Sequence, residues 1–352
     1  MTTALYIIVA LLIFGLLIMI HEFGHFIVAR LCGVYIEEFS IGMGPKILQR
    51  KTKKQGTLLS LRALPIGGYV SMKGENEDED APNSFSRKRV WQRMLIVVAG
   101  AAMNLLLGFL IVFIIVCSSE YLASTTVHSF FDNATSNAVG GLEVGDDIIR
   151  VGDVRVHTGE ELTYEIMNQG HEPLSLTVVR GGEQKVLENV IFPQIEEKGI
   201  IFGDSDFYVF ALSDPTLGHM LRITWHRSLS LVKMVWDSLA NLVTGRYTVD
   251  AVSSPIGVTA AVKDTITQSG WTGTQILQYV LHITAVISVN LGVFNLIPFP
   301  ALDGGRFAFL VVEGIIRKPI SREIEGRIHF VGIALLMLLM VFIVFKDIIG
   351  LF

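Results

Sequence analysis

Four apolar segments limit what this chain can fold into. They run from about Ala4 to Val28, Met94 to Cys117, Ile276 to Ile297 and Phe330 to Phe345. Crossing a bilayer takes about 20 apolar residues, with a range of about 17 to 25. Three segments reach that length outright, and the fourth does so by continuing through "DIIGLF" past the Lys346–Asp347 pair. In hydrocarbon every unpaired backbone N–H or C=O costs several kcal/mol, so such segments close their hydrogen bonds internally as helices. Only 17% of the residues are charged, against about 25% in a soluble domain. The expected fold class is an α-helical polytopic membrane protein with about four transmembrane helices. A net charge of −5 offers no basic surface for nucleic acid. The first twenty residues carry no charge, so the first segment lacks the basic start of a cleaved secretory signal and is expected to stay. Cys32 and Cys117 belong at opposite ends of spans, so no disulfide between them is expected.

Orientation follows from the basic residues. Residues 29–93 hold twelve Lys and Arg, and residues 299–329 hold five. The positive-inside rule places both loops in the cytoplasm. Residues 118–275, with twenty acidic and ten basic residues, then lie outside. There "GLEVGDDIIRVGDVRV" reads as two short strands with Gly-Asp turns. "EELTYEIMNQG" reads as a helix ended by Gly170, and "LSLTVVRGGEQKVLENVIF" as a hairpin with a Gly-Gly turn. This order resembles a small α+β PDZ domain over residues 122–194. Within the region 195–270, residues 217–243 read as an amphipathic helix. His219, Arg222, His226, Lys233 and Asp237 line one stripe of it. Such a helix lies at a membrane interface or packs on the chain's own domains. The acidic run "ENEDED", 75–80, reads as a solvated loop.

Chemistry concentrates at the end of the first span, in "HEFGH". On a helix, residues 21 and 25 share one face, about 5–6 Å apart at Cβ. Two imidazoles so placed can hold one zinc ion, and Glu22 beside them can take a proton from water, the arrangement of the metalloprotease HExxH motif. Charged groups at membrane depth cost about 2.5–3.5 kcal/mol or more each, so they mark function by default.

A catalytic zinc needs a third protein ligand and one open position. "NLIPFPALDGGR", 295–306, supplies Asp303 at the inner end of the third span (272–306), at the same depth as His21 and His25 although 278 residues beyond His25. Its two prolines and two glycines break the helix, which a membrane tolerates only where backbone is buried or lines a wet cavity. His282 lies 21 residues before Asp303, several turns away, and is expected to pack rather than share the ion.

"HEFGH" in one span, "NLIPFPALDGG" in another and a PDZ-like segment between them resemble the site-2 protease family of intramembrane zinc metalloproteases, in its bacterial RseP-type branch. The resemblance covers nearly the whole chain. It implies Zn2+ held by His21, His25 and Asp303, with Glu22 as general base. It implies that "LRALPIGGYVSM", part of the 31–90 cytoplasmic loop, belongs to a membrane-dipping β-hairpin at about 57–72. Leu64, Pro65, Ile66, Gly67, Gly68 and Tyr69 of that hairpin would hold substrate as an extended strand, and Asn295 would engage it. "GMGP" (42–45) and "SSPIGV" (253–258) match further family segments. Two departures stand: Ala99-Gly100-Ala101 replaces the usual Ala-Gly-Pro, and Ser253-Ser254-Pro255 the usual Ser-Gly-Pro. A single PDZ-like segment fits, so gating by tandem domains does not carry over.

The resemblance implies partners too: the lipid bilayer and transmembrane protein substrates, such as anti-sigma factors or signal-peptide remnants, cut after a first protease has shortened them. It implies residence in the bacterial cytoplasmic membrane, with the PDZ-like domain extracytoplasmic and the active site toward the cytoplasm. The alternative is a metal-binding membrane transporter, with Thr284, Ser288, Asn290 and Asn295 on an ion path, or a PDZ-bearing scaffold. Neither requires a base such as Glu22 beside the metal.

Overall fold

The computed structural model of the protein describes residues 3–53, 56–75, 81–197, 199–212, 215–247, 252 and 254–350. In chain order the elements are α1 (Thr3–Leu31), β1 (Ile36–Lys51), β2 (Leu58–Met72), α2 (Val90–Ser118), β3 (Leu122–Phe130), β4 (Asp147–Val151), β5 (Val154–Arg155), α3 (Gly159–Gln169), β6 (Leu174–Arg180), β7 (Glu183–Val190), β8 (Gln194–Glu197), β9 (Ile200–Gly203), β10 (Phe207–Leu212), α4 (Leu217–Val243), α5 (Pro255–Ser269), α6 (Gly273–Leu296), α7 (Asp303–Ile316) and α8 (Arg322–Gly350). They form two units, residues 1–108 with 252–352 and residues 109–251, the boundary crossing α2.

In the first unit, and at the start of the second, four helical stretches are long and apolar enough to cross a membrane: Ile8–Leu31, Val90–Ser118, Gly273–Leu296 and Glu323–Ile349. They coincide with the four apolar segments of the sequence. Ile8, Leu12 and Leu16 of α1 and Phe330, Leu338 and Phe345 of α8 are exposed. Water would penalise that surface by about 25 cal/mol per Å², and lipid does not. α2 and α6 approach through small residues. A Cβ on Gly108 would lie 2.6 Å from Val289, and one on Gly292 would lie 2.9 Å from Leu105, the close packing that substitutes for a hydrophobic drive between helices in lipid.

The third span is shorter than the expected 272–306. α6 stops at Leu296, and Asp303 opens a separate helix, α7. Pro298 and Pro300 explain the break: proline lacks the N–H that a helix interior needs and drives its predecessor out of the helical region. Gly304 and Gly305 then let the first turn of α7 pack against the carbonyls of Ile297 and Phe299, closer than any Cβ would allow.

The segment expected to be a whole hairpin, about 57–72, is one strand of a larger arrangement. Residues 38–41 of β1 face 68–71 of β2 on one side and 58–61 on the other, and 48–51 pair back onto 58–61. Both strands therefore fold over. Gly42 (φ 84°) and Gly67 (φ 77°) stand at the bends in left-handed conformations that other residues adopt only with strain. Residues 76–80 of the acidic run lie outside the described residues. Ala29, Val34, Ile36, Met72, Ile96 and Leu310 form the buried core where α1, the strands, α2 and α7 meet.

In the second unit, the main sheet has the order β10-β3-β4-β6-β7, with β5 against β4 and a separate β8-β9 pair. Gly181 (φ 61°) and Gly182 (φ 87°) make the tight β6–β7 turn, as two successive left-handed residues require. Val127, Ile148, Ile166, Leu176, Val178 and Phe207 fill the core under α3. Phe207 belongs to β10, so the sheet reaches past the expected limit at residue 194. α4 turns its polar stripe toward α3: Arg227 pairs with Glu160 at 3.0 Å, Lys233 with Glu165 at 2.7 Å, and Tyr164 donates to Asp237 at 3.0 Å. Trp225, Leu229 and Trp236 of α4 remain exposed.

Candidate metal centre

His21 and His25 lie one turn apart on α1, with ring centroids 4.8 Å apart and planes at 82°. Their Nε2 atoms are 3.2 Å from each other. Asp303, the first residue of α7, brings its Oδ2 to 3.0 Å from His21 Nε2 and 3.2 Å from His25 Nε2. Both rings are buried. Despite these distances, Oδ2 is buried without a hydrogen-bond donor. Three atoms whose lone pairs converge, one of them an orphaned carboxylate oxygen, are electrostatically incomplete, since a buried unpaired acceptor is strongly disfavoured. A divalent cation completes them. Two imidazole nitrogens and one carboxylate oxygen are a donor set that zinc accepts, with one tetrahedral position left for water.

The tautomers suit that role. His25 Nδ1 donates to the carbonyl of Ile96 at 2.8 Å, which leaves Nε2 as a lone pair. His21 Nδ1 lies 3.3 Å from the Asn104 amide, whose Oδ1 is buried without a partner when the NH2 end faces the ring. The two ends of an amide are interchangeable in outline. With Oδ1 toward the ring it accepts from Nδ1–H, both groups are satisfied, and His21 Nε2 is also free to ligate. Ser288 of α6 donates to the Asn104 carbonyl at 2.8 Å and ties this support in place. Gly100 completes the floor: a Cβ there would overlap His25 Nε2 and sit 2.7 Å from His21 Nε2.

Ile96, Gly100 and Asn104 recur every four residues, one stripe of α2. Sequence reasoning passed over Ile96 and Asn104, and met Gly100 only within the Ala99-Gly100-Ala101 departure, expected to lie away from the metal; the structure sets it against both rings instead. The spacing was a readable signal, but nothing local says which face of an all-apolar helix meets the histidines. Gly24, between them in "HEFGH", has a plain steric reason, because a Cβ would overlap the carbonyl of Ala99.

Glu22 points to the strands. Its Oε2 accepts a hydrogen bond from the Val70 N–H of β2 at 3.1 Å, and it remains within electrostatic reach of His21, His25 and Asp303. Of the residues assigned to substrate, Gly67 and Gly68 are buried, Leu64 is exposed and Tyr69 is half-buried with its hydroxyl on Arg62. Pro65 and Ile66 are part of β2, and their side chains lie outside the described residues. Asn295 is half-buried in the last turn of α6. Among the described residues His282 is not part of the metal-capable group.

Arg62 organises the strands. It donates to Ser40 Oγ at 2.9 Å, the Gly44 carbonyl at 2.9 Å and Glu38 at 3.1 Å. Burial by itself would raise the Glu38 carboxyl, but hydrogen bonds from Ser60, Tyr69 and Arg62, with Lys46 nearby, bring it down to about 2.

Residues 9–339 match the model of peptidase family M50. A chain from Clostridium perfringens is 37% identical over 346 residues, 98% of this chain and 99% of that one. One from Clostridium acetobutylicum is 35% identical over 343 residues, 97% of each. Both are named as zinc metalloproteases. The zinc metalloprotease RasP of Shouchella clausii is 30% identical over 424 residues, 97% of this chain and 98% of that one. With four helices able to span a membrane and a donor set suited to zinc, the chain belongs to peptidase family M50, the site-2 protease family, and is a multi-pass membrane zinc metalloprotease.

Proposed function

We propose that this protein hydrolyses peptide bonds within or beside the transmembrane segments of membrane protein substrates, with His21, His25 and Asp303 as zinc ligands and Glu22 as general base. One observation carries the reading: three donor atoms from α1 and α7 converge within 3.2 Å of one another, two of them on a helix, α1, long and apolar enough to cross a bilayer, with Glu22 next in sequence. Bound there, zinc supplies a Lewis acid that polarises the scissile carbonyl and acidifies water. Glu22 takes the proton of the attacking water and passes it to the leaving amine. The Val70 N–H holds that carboxylate in one orientation. The hydrogen bonds on His21 and His25 Nδ1 hold the rings so that neither reorients during turnover. Asn295 serves as a donor to the developing oxyanion.

A helical substrate must unwind before its carbonyls can be attacked. Backbone along Leu64–Tyr69 offers replacement partners by strand addition, and its attachment to Glu22 through Val70 sets that strand beside the base. The sheet domain of the second unit acts as a PDZ-like module on substrate ectodomains, outside the cytoplasm, while the active site opens toward the cytoplasmic side of the bacterial membrane. Anti-sigma factors or signal-peptide remnants, shortened by a first cut, suit this division of labour.

Glu22→Gln tests the reading. In vesicles with a membrane-anchored reporter, cleavage should fall by about a hundredfold to ten-thousandfold while zinc content stays at the wild-type level. Cleavage that persists in the substituted protein, or ion flux that Glu22→Gln leaves intact, would favour a transporter instead.

A further inference from the structure

A second set of metal-ligating side chains meets in the unit formed by residues 109–251, apart in sequence from every residue used in hydrolysis. Its geometry starts from the cap of α3. Thr158 Oγ1 accepts from the Glu161 N–H at 3.2 Å, and Glu161 Oε2 reaches back to the His157 N–H at 2.6 Å. That reciprocal exchange fixes the carboxylate and leaves Oε2 3.2 Å from His157 Nδ1. α4 supplies the third group. The ring of His226 stacks on that of His157, with centroids 3.8 Å apart and planes at 15°. One turn on, Ser230 donates to Glu161 Oε1 at 2.7 Å. Ligand atoms of His157, Glu161 and His226 all lie within 4.8 Å of one another.

We propose that His157, Glu161 and His226 form a second divalent-metal site, which takes zinc or a similar imidazole-preferring first-row ion and clips α4 to α3. The donor types fit, since two imidazoles and a carboxylate are borderline donors suited to such ions; as found the rings lie face to face, so binding turns the His226 ring out of the stack to aim an in-plane nitrogen at the shared ion. Imidazole ligates when neutral. His157 is 35% exposed, which leaves a route for the ion and room for water to complete its sphere.

Zinc stoichiometry of the untagged full chain, purified in detergent, tests the proposal. The wild type should hold two equivalents after dialysis against buffered zinc. His157→Phe with His226→Phe, which keeps the ring stack and removes the nitrogens, should hold one. His21→Ala with His25→Ala should also hold one, and all four substitutions together none. Glu161→Gln should weaken the second equivalent by about tenfold or more. Zinc should slow hydrogen exchange in residues 157–165 and 226–237 of the wild type but not of the double Phe variant. Equal stoichiometry in the wild type and the double Phe variant, or exchange in both segments indifferent to zinc, would overturn it. The wild-type comparison stands even where the His21→Ala/His25→Ala protein fails to fold. Loss of the first equivalent alone would count against the hydrolytic centre and leave this site untouched.

Discussion

Gly100 is the residue on which the metal centre has least tolerance. Its missing Cβ is the space between two Nε2 atoms, so Gly100→Ala should lower zinc content sharply, read by metal analysis of the purified chain, while helicity is unchanged or slightly raised, since alanine is the better helix former by about 1 kcal/mol. Asn104 acts at one remove. Asn104→Ala removes the acceptor from His21 Nδ1 and should weaken zinc by about tenfold to a hundredfold, with Asn104→Asp, which keeps an acceptor, less affected. "HEFGH" announced its histidines because residues four apart on a helix share a face whatever surrounds it. Ile96, Gly100 and Asn104 obey the same periodicity, but in an apolar helix nothing in the local pattern marks the face turned to the metal.

At the scale of elements, the folded pair β1–β2 and the short helix α7 decide the chemistry. Val70 donates its N–H to Glu22, so Val70→Pro removes a hydrogen bond that orients the proposed general base. It should reduce cleavage far more than Leu61→Pro, with zinc content intact in both, by reporter cleavage and metal analysis. The strand pair should also loosen in acid. A carboxyl depressed from 4.5 to about 2 in the folded chain stabilises it above pH 4.5, and that contribution fades as pH falls from there toward 2. Hydrogen-exchange protection, taken relative to the intrinsic rate at each pH, should fall in residues 36–51 and 58–72 over that window in the wild type, and in Glu38→Gln should be low already and flat with pH. Strand character was legible in "LRALPIGGYVSM"; the folding of each strand back on the other was not, because it depends on Gly42 meeting Leu64 and Gly67 meeting Met43, residues more than twenty apart in the chain.

In the first unit as a whole, the position of α7 is what brings Asp303 to His21 and His25, the proposed zinc ligands. It is held at one end by Asp303 and in its middle by Glu313, which receives Arg93 Nη1 of α2 at 3.1 Å, a largely buried pair. Removing one partner of such a pair costs about 3–5 kcal/mol, because the other is left charged and uncompensated. Glu313→Ala should therefore release α7 and lower zinc affinity although it touches no ligand, measured by zinc titration, with Arg93→Met plus Glu313→Leu recovering much of the loss. Metal and fold are linked in return. A ligand at a hundredfold its dissociation constant stabilises by about 2.7 kcal/mol, so chelation should speed hydrogen exchange across Asp303–Ile316 in the wild type and leave Asp303→Ala unchanged.

Sequence alone determined what is local or additive: four stretches too apolar and too long for anything but spans, a histidine pair set on one face by helical periodicity, a base between them, and a Pro- and Gly-rich break carrying a carboxylate. Tertiary structure decided which of those groups meet and in what state. It split the expected third span so that Asp303 opens its own helix. It chose Ile96 and Asn104 to orient the rings and gave Glu22 to Val70. Contacts of this kind join segments tens to hundreds of residues apart, and they follow from how whole helices and strands pack against one another, which no window of neighbouring residues encodes.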